Sequence, residues 1–190
     1  MELKDAILKR RSIRKYKSTP VSDEVLNELM ELACWAPSGV NLQPWYFAVV
    51  RSPQQHAKIM QLMGTAAGRM KPMLDKRFPN HPEVAKETVS FIENVGGAPV
   101  IVLVFFYTDY DESQGNASLQ SIGAAVENLC LAACDKGLGT CWMTAAHMVK
   151  EDLTREFGQG KGEFVAMVAL GEPDEEARAP KRREGRFDLL

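Results

Sequence analysis

Basic side chains crowd both ends of this 190-residue chain. Near the start, Arg10, Arg11 and Arg14 flank Ser12. Guanidinium groups supply charge and paired donors to a phosphate, and a serine hydroxyl adds one more hydrogen bond. A second basic cluster lies near the end and contains Arg178, Lys181, Arg182, Arg183 and Arg186. The pattern predicts a local anion site. The alternative is a solvated basic helix end that interacts only with its own helix dipole.

A loop of turn residues carries two amide side chains. Pro37, Ser38 and Gly39 precede Asn41 and Gln43, and a strand pattern follows. Each amide offers both donors and an acceptor, which suits recognition of the edge of a heterocycle. A plain turn before a strand has the same composition. A ligand-reading role and a purely structural turn therefore both stay open.

An apolar helix pattern runs into a double-glycine turn. Its apolar positions share one helix face at Leu119, Ile122, Val126, Leu129 and Ala133. Gly137 is placed to end the helix in a left-handed conformation, and Gly139 allows a tight turn into an extended run, 140–144. Small residues on the other faces predict close packing against a second backbone. The run after the turn is either a buried strand or a platform of backbone N–H groups for a flat ligand.

Composition and charge narrow the function class. The net charge of −2 argues against a nucleic-acid binder. The longest apolar run, Val100 to Tyr107, is too short to span a bilayer, and Glu2, Lys4 and Asp5 lie where a signal peptide needs an apolar core. We therefore expect a cytoplasmic protein with no membrane partner.

The cysteines do not form a metal-binding pattern. The four cysteines include no C-x-x-C pair, and only three histidines are present to complete a zinc site. We expect reduced, mostly buried thiols and no metal.

The remaining pattern predicts helices alternating with strands. Helices are predicted at 3–10, after the cap residue Ser22, at 53–63 and at 149–157, and strands at 46–50, 100–107 and 164–170. A polar loop is expected at 109–116. Strands separated by helices imply crossovers, so we expect an α+β fold whose mixed or largely parallel central sheet is flanked by helices.

At 190 residues the chain is predicted to be a single domain with two special segments. Residues 64–97 are interrupted by Gly64, Gly68, Pro72, Pro79 and Pro82. The segment is either a lid or substrate-selecting insertion or a peripheral helical hairpin. Residues 171–190 contain too few apolar side chains to pack alone, so we expect an extended C-terminal tail on the surface or on a partner.

Three separated stretches together resemble one family. They are Arg10 to Tyr16, Ala36 to Trp45, and the helix from Asn128 that ends in Gly137-Leu138-Gly139-Thr140-Cys141-Trp142. In this order and spacing they resemble the FMN-dependent nitroreductase family, and Lys181-Arg182-Arg183 is similar to the closing basic motif of that family. The resemblance covers about residues 5–183.

The resemblance implies a three-layer α+β homodimer with FMN at the subunit interface. NADH or NADPH would reduce the flavin, and an electron-poor acceptor such as a nitroaromatic or quinone would reoxidise it, by ping-pong hydride transfer through flavin N5. No protein group would be catalytic, because the cofactor carries the chemistry. An alternative within the fold is a specialised enzyme for one enone or halogenated aromatic. From another class, the alternative is a basic-ended binding module without a cofactor.

The resemblance also assigns the flavin contacts. Arg10, Ser12, Lys181 and Arg183 would hold the phosphate, with Arg11 beside them. Arg14 would face flavin N1 and O2, and the backbone of Thr144 and Ala145 would lie beside N5. The loop residues Pro37, Ser38, Gly39 and Asn41 would approach from the second subunit, and Gln43 is also assigned to cofactor binding.

Overall fold

The computed structural model of the chain describes residues 1–107 and 115–190. Within these ranges the helices are α1 (Leu3–Lys9), α2 (Asp23–Cys34), α3 (Pro53–Arg77), α4 (Pro82–Asn94), α5 (Gly115–Asp135) and α6 (Lys150–Phe157). The strands are β1 (Trp45–Val50), β2 (Val100–Phe106), β3 (Gly139–Met143) and β4 (Glu163–Gly171). The positions predicted for α1, α2, α5, α6 and all strands are confirmed. The predicted polar loop falls largely on residues outside the described ranges.

The sheet differs from the mixed or parallel arrangement that we expected. Its strand order is β1-β2-β4-β3, and every neighbouring pair among the described strands is antiparallel. The reason lies in the connection between β1 and β2. Two helices, α3 and α4, form a hairpin there, so the chain returns to the end of the sheet that it left and enters β2 in the opposite direction.

Helices cover both faces of the sheet and complete three layers. Successive residues of β2 alternate between the faces. Val100, Val102 and Val104 pack into a core with residues of α2 and α5. The other face of β2 packs against α3, α4 and α6 through Ile101, Leu103 and Phe105.

Of the two alternatives for residues 64–97, the backbone adopts the helical hairpin. Helix α3 does not end at Met63 but continues to Arg77, through Gly64, Gly68 and Pro72. Burial of Met63, Ala66, Ala67 and Leu74 outweighs the weak helix propensity of the glycines. The role of this hairpin as a lid stays a prediction.

Helix α5 is the central helix that the apolar pattern predicted. Ile122, Val126 and Leu129 are fully buried on its sheet-facing side, and Gly137 adopts a φ of 73° beyond its end. The stretch Asn116–Asp135 is also long and apolar enough to cross a membrane by length and composition alone, and 44% of the 18 residues in it that meet this test are buried. A core helix of this kind passes the same test.

Candidate functional site

The basic segment near the N-terminus is held against the edge strand β3. The backbone N–H of Ile13 donates to the carbonyl of Thr140 at 2.9 Å, and Ser12 forms a parallel bridge with Thr140. A β-carbon at Gly139 would lie only 2.6 Å from Ile13 Cγ1. Gly139 is therefore needed for the close approach of Ile13, which sets the position of Ser12.

Tyr16 fixes the other end of this segment. Its hydroxyl donates to the Ile13 carbonyl at 2.7 Å, and its backbone N–H donates to the Gly96 carbonyl at 3.0 Å. Gly96 has a φ of +66°, and an added β-carbon there would lie 2.3 Å from the Arg14 carbonyl oxygen. Burial raises the pKa of Tyr16 well above its ordinary value, so the phenol remains a neutral donor.

The C-terminal tail pairs with the same segment and brings the two basic ends together. The Lys17 N–H donates to the Glu172 carbonyl at 3.0 Å, and the Asp174 N–H donates to the Lys15 carbonyl at 2.9 Å. Next along the tail, the Glu175 carboxylate accepts a hydrogen bond from the Arg14 backbone N–H.

A cavity of about 480 Å³ lies where the two ends meet. It is lined by Arg10, Arg11, Ser12, Arg14, Glu175, Glu176, Ala177, Arg178, Pro180 and Arg182. The structure thus brings together the four N-terminal residues predicted for the anion site. From the tail it adds Arg178 and Arg182, whereas Lys181 and Arg183 do not line this cavity. The basic composition of the tail predicted that it contributes cations to the anion site. Composition alone does not reveal which of these side chains face the cavity.

Some of the charged side chains that line this cavity already have partners within the chain. Arg10 Nε lies 3.3 Å from a Glu127 carboxylate oxygen on α5, and Arg11 Nη1 donates to the Arg10 carbonyl at 2.6 Å. Glu175 and Glu176 add two carboxylates to the lining. The five arginines still outnumber them, so the cavity favours an anion.

A second cavity of about 460 Å³ also contains Arg14 and Glu175 in its lining. Helix α4 contributes Glu87, Thr88, Ser90, Phe91 and Asn94 to it. Arg14 Cζ lies 5.9 Å from the centre of the Phe91 ring, within cation–π range. The sequence predicted no site residue in 64–97, because an exposed polar helix face has the same composition whether or not it borders a cavity.

The residues predicted in loop 37–43 and in the turn after β3 are not among the lining residues of either cavity. The centre of the loop, Gly39–Asn41, forms a 3-10 turn. The Gln43 N–H donates to Ser38 Oγ at 3.0 Å. Thr144 is exposed and Ala145 is buried at the start of the turn Ala145–Val149. Within this single chain, none of Pro37, Ser38, Gly39, Asn41, Gln43, Thr144 or Ala145 lines the cavities that contain Arg14.

The cysteines are all free thiols, and none lies in a metal-binding group. Across residues 1–107 and 115–190 no cluster of three or more His, Cys, Asp or Glu side chains could hold a metal. Burial raises the pKa of Cys141 above its ordinary value and that of Cys130 to about 11. Both thiols therefore stay protonated near neutral pH.

Comparison with known proteins decides the family. The sequence model of the Nitroreductase family matches residues 7–172. The chain belongs to the Nitroreductase family. YfhC of Bacillus subtilis (strain 168), named an NAD(P)H nitroreductase, is 30% identical over 182 residues, which are 95% of this chain and 89% of YfhC.

One further relative and one solved structure are similar to this chain over most of its length. The iodotyrosine deiodinase of Thermotoga neapolitana is 32% identical in an alignment of 147 residues that covers 73% of this chain and 71% of that protein. The crystal structure of a nitroreductase with bound FMN from Desulfitobacterium hafniense DCB-2 superposes with a TM-score of 0.80 at 21% identity, covering 100% of this chain and 98% of the other. The nitroreductase-like fold is therefore confirmed.

Proposed function

We propose that this protein is an FMN-dependent oxidoreductase that uses NADH or NADPH to reduce an electron-poor acceptor such as a nitroaromatic or a quinone. The observation that carries the proposal is the arginine-lined cavity around Ser12. Membership of the family and the FMN bound by the Desulfitobacterium protein support it.

The residues present fit the chemical groups of FMN. A phosphate group carries charge and acceptor oxygens, and Arg10, Ser12 and Arg182 offer matching donors in the first cavity. A flat heterocycle needs a neighbouring space with hydrogen-bonding groups, which the second cavity offers at Ser90, Thr88 and Asn94. Arg14 and Glu175 line both cavities, so the two cavities are neighbours.

FMN, when bound, supplies the redox chemistry, and the protein's residues bind and orient it. Arg14 would place a positive charge at the edge of the ring, where negative charge gathers on reduction, and would favour the reduced form. Thr144 and Ala145 line neither cavity of the single chain, so their proposed backbone contact with the ring rests on the family resemblance alone. No side chain needs to act as a nucleophile, in agreement with the protonated state of Cys141.

We further propose that two copies of the chain form the working unit. Large apolar side chains are exposed on this chain, with Trp35 at 83% and Leu119 at 47% of full exposure. A dimer would cover such residues and would let loop 37–43 complete the site of the partner. The free state of Cys34, Cys130, Cys134 and Cys141 supports a reducing, cytoplasmic location.

Flavin loading and turnover test the main proposal. The purified protein should show flavin absorbance after incubation with FMN, and NADH or NADPH should bleach it under anaerobic conditions. Adding a nitroaromatic or a quinone should then restore the absorbance. A protein that takes up no FMN would instead favour the cofactor-free binding module.

A second candidate is reductive removal of halogen from a halogenated aromatic, favoured by the similarity to the Thermotoga deiodinase. Iodide release from iodotyrosine, measured beside nitroaromatic reduction with the same loaded protein, separates the two. A kcat/KM for iodotyrosine far above that for every nitroaromatic would replace the first candidate with the second.

A further inference from the structure

Glu175 brings a negative charge into a site that otherwise favours anions. It lines both cavities together with Arg14, whereas the adjacent Glu176 lines only the first cavity. Lys15 and Glu87 add one charge of each sign to the second cavity. A carboxylate repels a phosphate, so the place of Glu175 beside Arg14 in both cavities needs an explanation other than phosphate binding.

The pairing of the two chain ends holds Glu175 in this place. The Asp174 N–H donates to the Lys15 carbonyl at 2.9 Å, which sets the tail against the N-terminal segment. Glu175 follows directly, and its carboxylate accepts a hydrogen bond from the backbone N–H of Arg14. The side chain of Glu175 is half-buried. The carboxylate is therefore fixed next to Arg14 by backbone contacts on both sides of the pairing.

This hydrogen bond does not cancel the charge of the Glu175 carboxylate. A backbone N–H carries no net charge, so the bond fixes the carboxylate without pairing it with a cation. The Arg14 guanidinium has contacts elsewhere, because Nη1 donates to the Ser12 carbonyl at 3.3 Å and Cζ lies 5.9 Å from the centre of the Phe91 ring. One positive and one negative side chain therefore border the second cavity from neighbouring positions.

We propose that Glu175 makes the flavin potential more negative by opposing the charge of Arg14. This inference rests on the proposed function, in which the second cavity holds the flavin ring. Negative charge gathers on the ring during reduction, so Arg14 favours the reduced form and a carboxylate beside it disfavours that form. Because Glu175 is half-buried, solvent screens this effect only in part. A more negative potential makes the reduced flavin a stronger donor to the acceptor.

The test compares the midpoint potentials of Glu175→Gln and Glu176→Gln, measured anaerobically by equilibration with a reference dye. Each change removes one negative charge, and the amide at position 175 can still accept from the Arg14 N–H. Glu175→Gln should tighten the binding of reduced FMN relative to oxidised FMN by about tenfold. For a two-electron couple, this ratio moves the midpoint potential about 30 mV toward positive values.

Glu176→Gln is the matched control, because Glu176 lines only the cavity that would hold the phosphate. The phosphate does not change on reduction, so this variant should change the ratio of the two affinities by less than about twofold. It should nevertheless lower the Kd for oxidised FMN, since it removes a charge that repels the phosphate. A lower Kd with an unchanged potential shows that the two carboxylates act on different parts of the ligand.

Glu175→Asp separates charge from structure. This variant keeps the carboxylate on a shorter side chain, so its midpoint potential should stay close to that of the parent even if its Tm falls. Glu175→Gln should show the shifted potential whether or not its Tm changes. A merely structural role of Glu175 would affect Tm in both variants and would leave the ratio of the two FMN affinities unchanged.

Three results would overturn the inference. An unchanged potential in Glu175→Gln would show that this charge does not act on the ring. An equal shift in Glu176→Gln would reduce the effect to the net charge of the tail. An equal shift in Glu175→Asp would show that side-chain length, and not charge, sets the potential. Failure of the proposed function is distinct, because the parent itself would then bind no FMN.

Discussion

At the scale of single residues, the tail offers two assignments for the phosphate. Family resemblance points to Lys181 and Arg183, whereas the cavity is lined by Arg182. Because a charge-assisted hydrogen bond contributes about 1.5–3 kcal/mol, Arg182→Glu should weaken FMN binding about ten- to a hundredfold. Riboflavin has no phosphate, so its binding should change little. Fluorescence titration with both flavins measures the difference.

Matched variants of the neighbouring residues complete this experiment. Lys181→Glu and Arg183→Glu introduce the same charge on the same exposed tail. Smaller losses of FMN affinity at these positions would agree with the cavity lining. Larger losses there than at Arg182 would return the phosphate contact to the residues that the resemblance assigned.

Cys141 lies in the most motif-like stretch of the chain, but its environment does not favour redox chemistry. Its side chain is 5% exposed, and burial raises its pKa above the ordinary value, so little thiolate forms near neutral pH. Cys141→Ala should lower the free energy of unfolding by about 1 kcal/mol through lost packing. Anaerobic stopped-flow should show NADH-driven flavin reduction within about twofold of the parent, since no thiol takes part. A reduction step lost while FMN stays bound would contradict this.

At the scale of elements, the sequence predicted the helices and strands correctly where the apolar periodicity is strong. The predictions were wrong for the direction of the strands in the sheet and for the length of α3, where helix propensity is weak. The helix face through Ile122, Val126 and Leu129 was predictable because burial and spacing agree there. The sheet direction was not, since local patterns do not reveal that α3 and α4 form a hairpin between β1 and β2. The length of α3 was also missed, because Gly64 and Pro72 hide a helix that tertiary packing maintains.

The N-terminal part of the candidate site was predictable from the sequence, whereas the part on α4 was not. Charge clustering identified Arg10, Ser12 and Arg14 because like charges gathered in sequence indicate an anion. The α4 lining at Thr88 and Phe91 could not be found, since it depends on which face of an exposed helix meets the N-terminal segment.

The contact between Gly139 and Ile13 couples strand β3 to the basic segment. A β-carbon at Gly139 would meet Ile13 at 2.6 Å, so Gly139→Ala should destabilise the fold by about 1–3 kcal/mol through overpacking. Displacement of Ile13 should also move Ser12 and weaken FMN binding. Urea unfolding and flavin titration measure the two effects.

Gly64→Ala is the matched control for Gly139→Ala. Gly64 lies inside α3, and apart from the adjoining helix backbone no atom of the described residues lies within 4 Å of an added β-carbon. The change should raise the free energy of unfolding by about 0.5–1 kcal/mol, because alanine favours a helix interior. It should leave FMN affinity unchanged. Equal destabilisation by both variants would show that the Ile13 contact has no special role.

At the scale of the whole molecule, the single chain leaves the predicted site in two separate parts. The arginine cavity lies at the meeting of the two chain ends, whereas loop 37–43 lines neither cavity that contains Arg14. We propose that a second copy brings the loop to the cavity and packs against the small and apolar residues of α5. Leu119 on α5 and Trp35 after α2 are exposed apolar side chains that such a partner would cover.

We therefore predict that Leu119→Lys and Trp35→Lys weaken both dimerisation and FMN binding. A charge placed in an apolar interface loses its hydration without gaining a partner, so the two effects should rise together. Glu151→Lys on α6, which introduces a lysine on an exposed helix position, is the control and should change neither. Sedimentation velocity at low micromolar concentration gives the assembly state, and flavin titration of the same samples gives the affinity. A folded monomer that binds FMN as tightly as the parent would show that one chain contains the whole site.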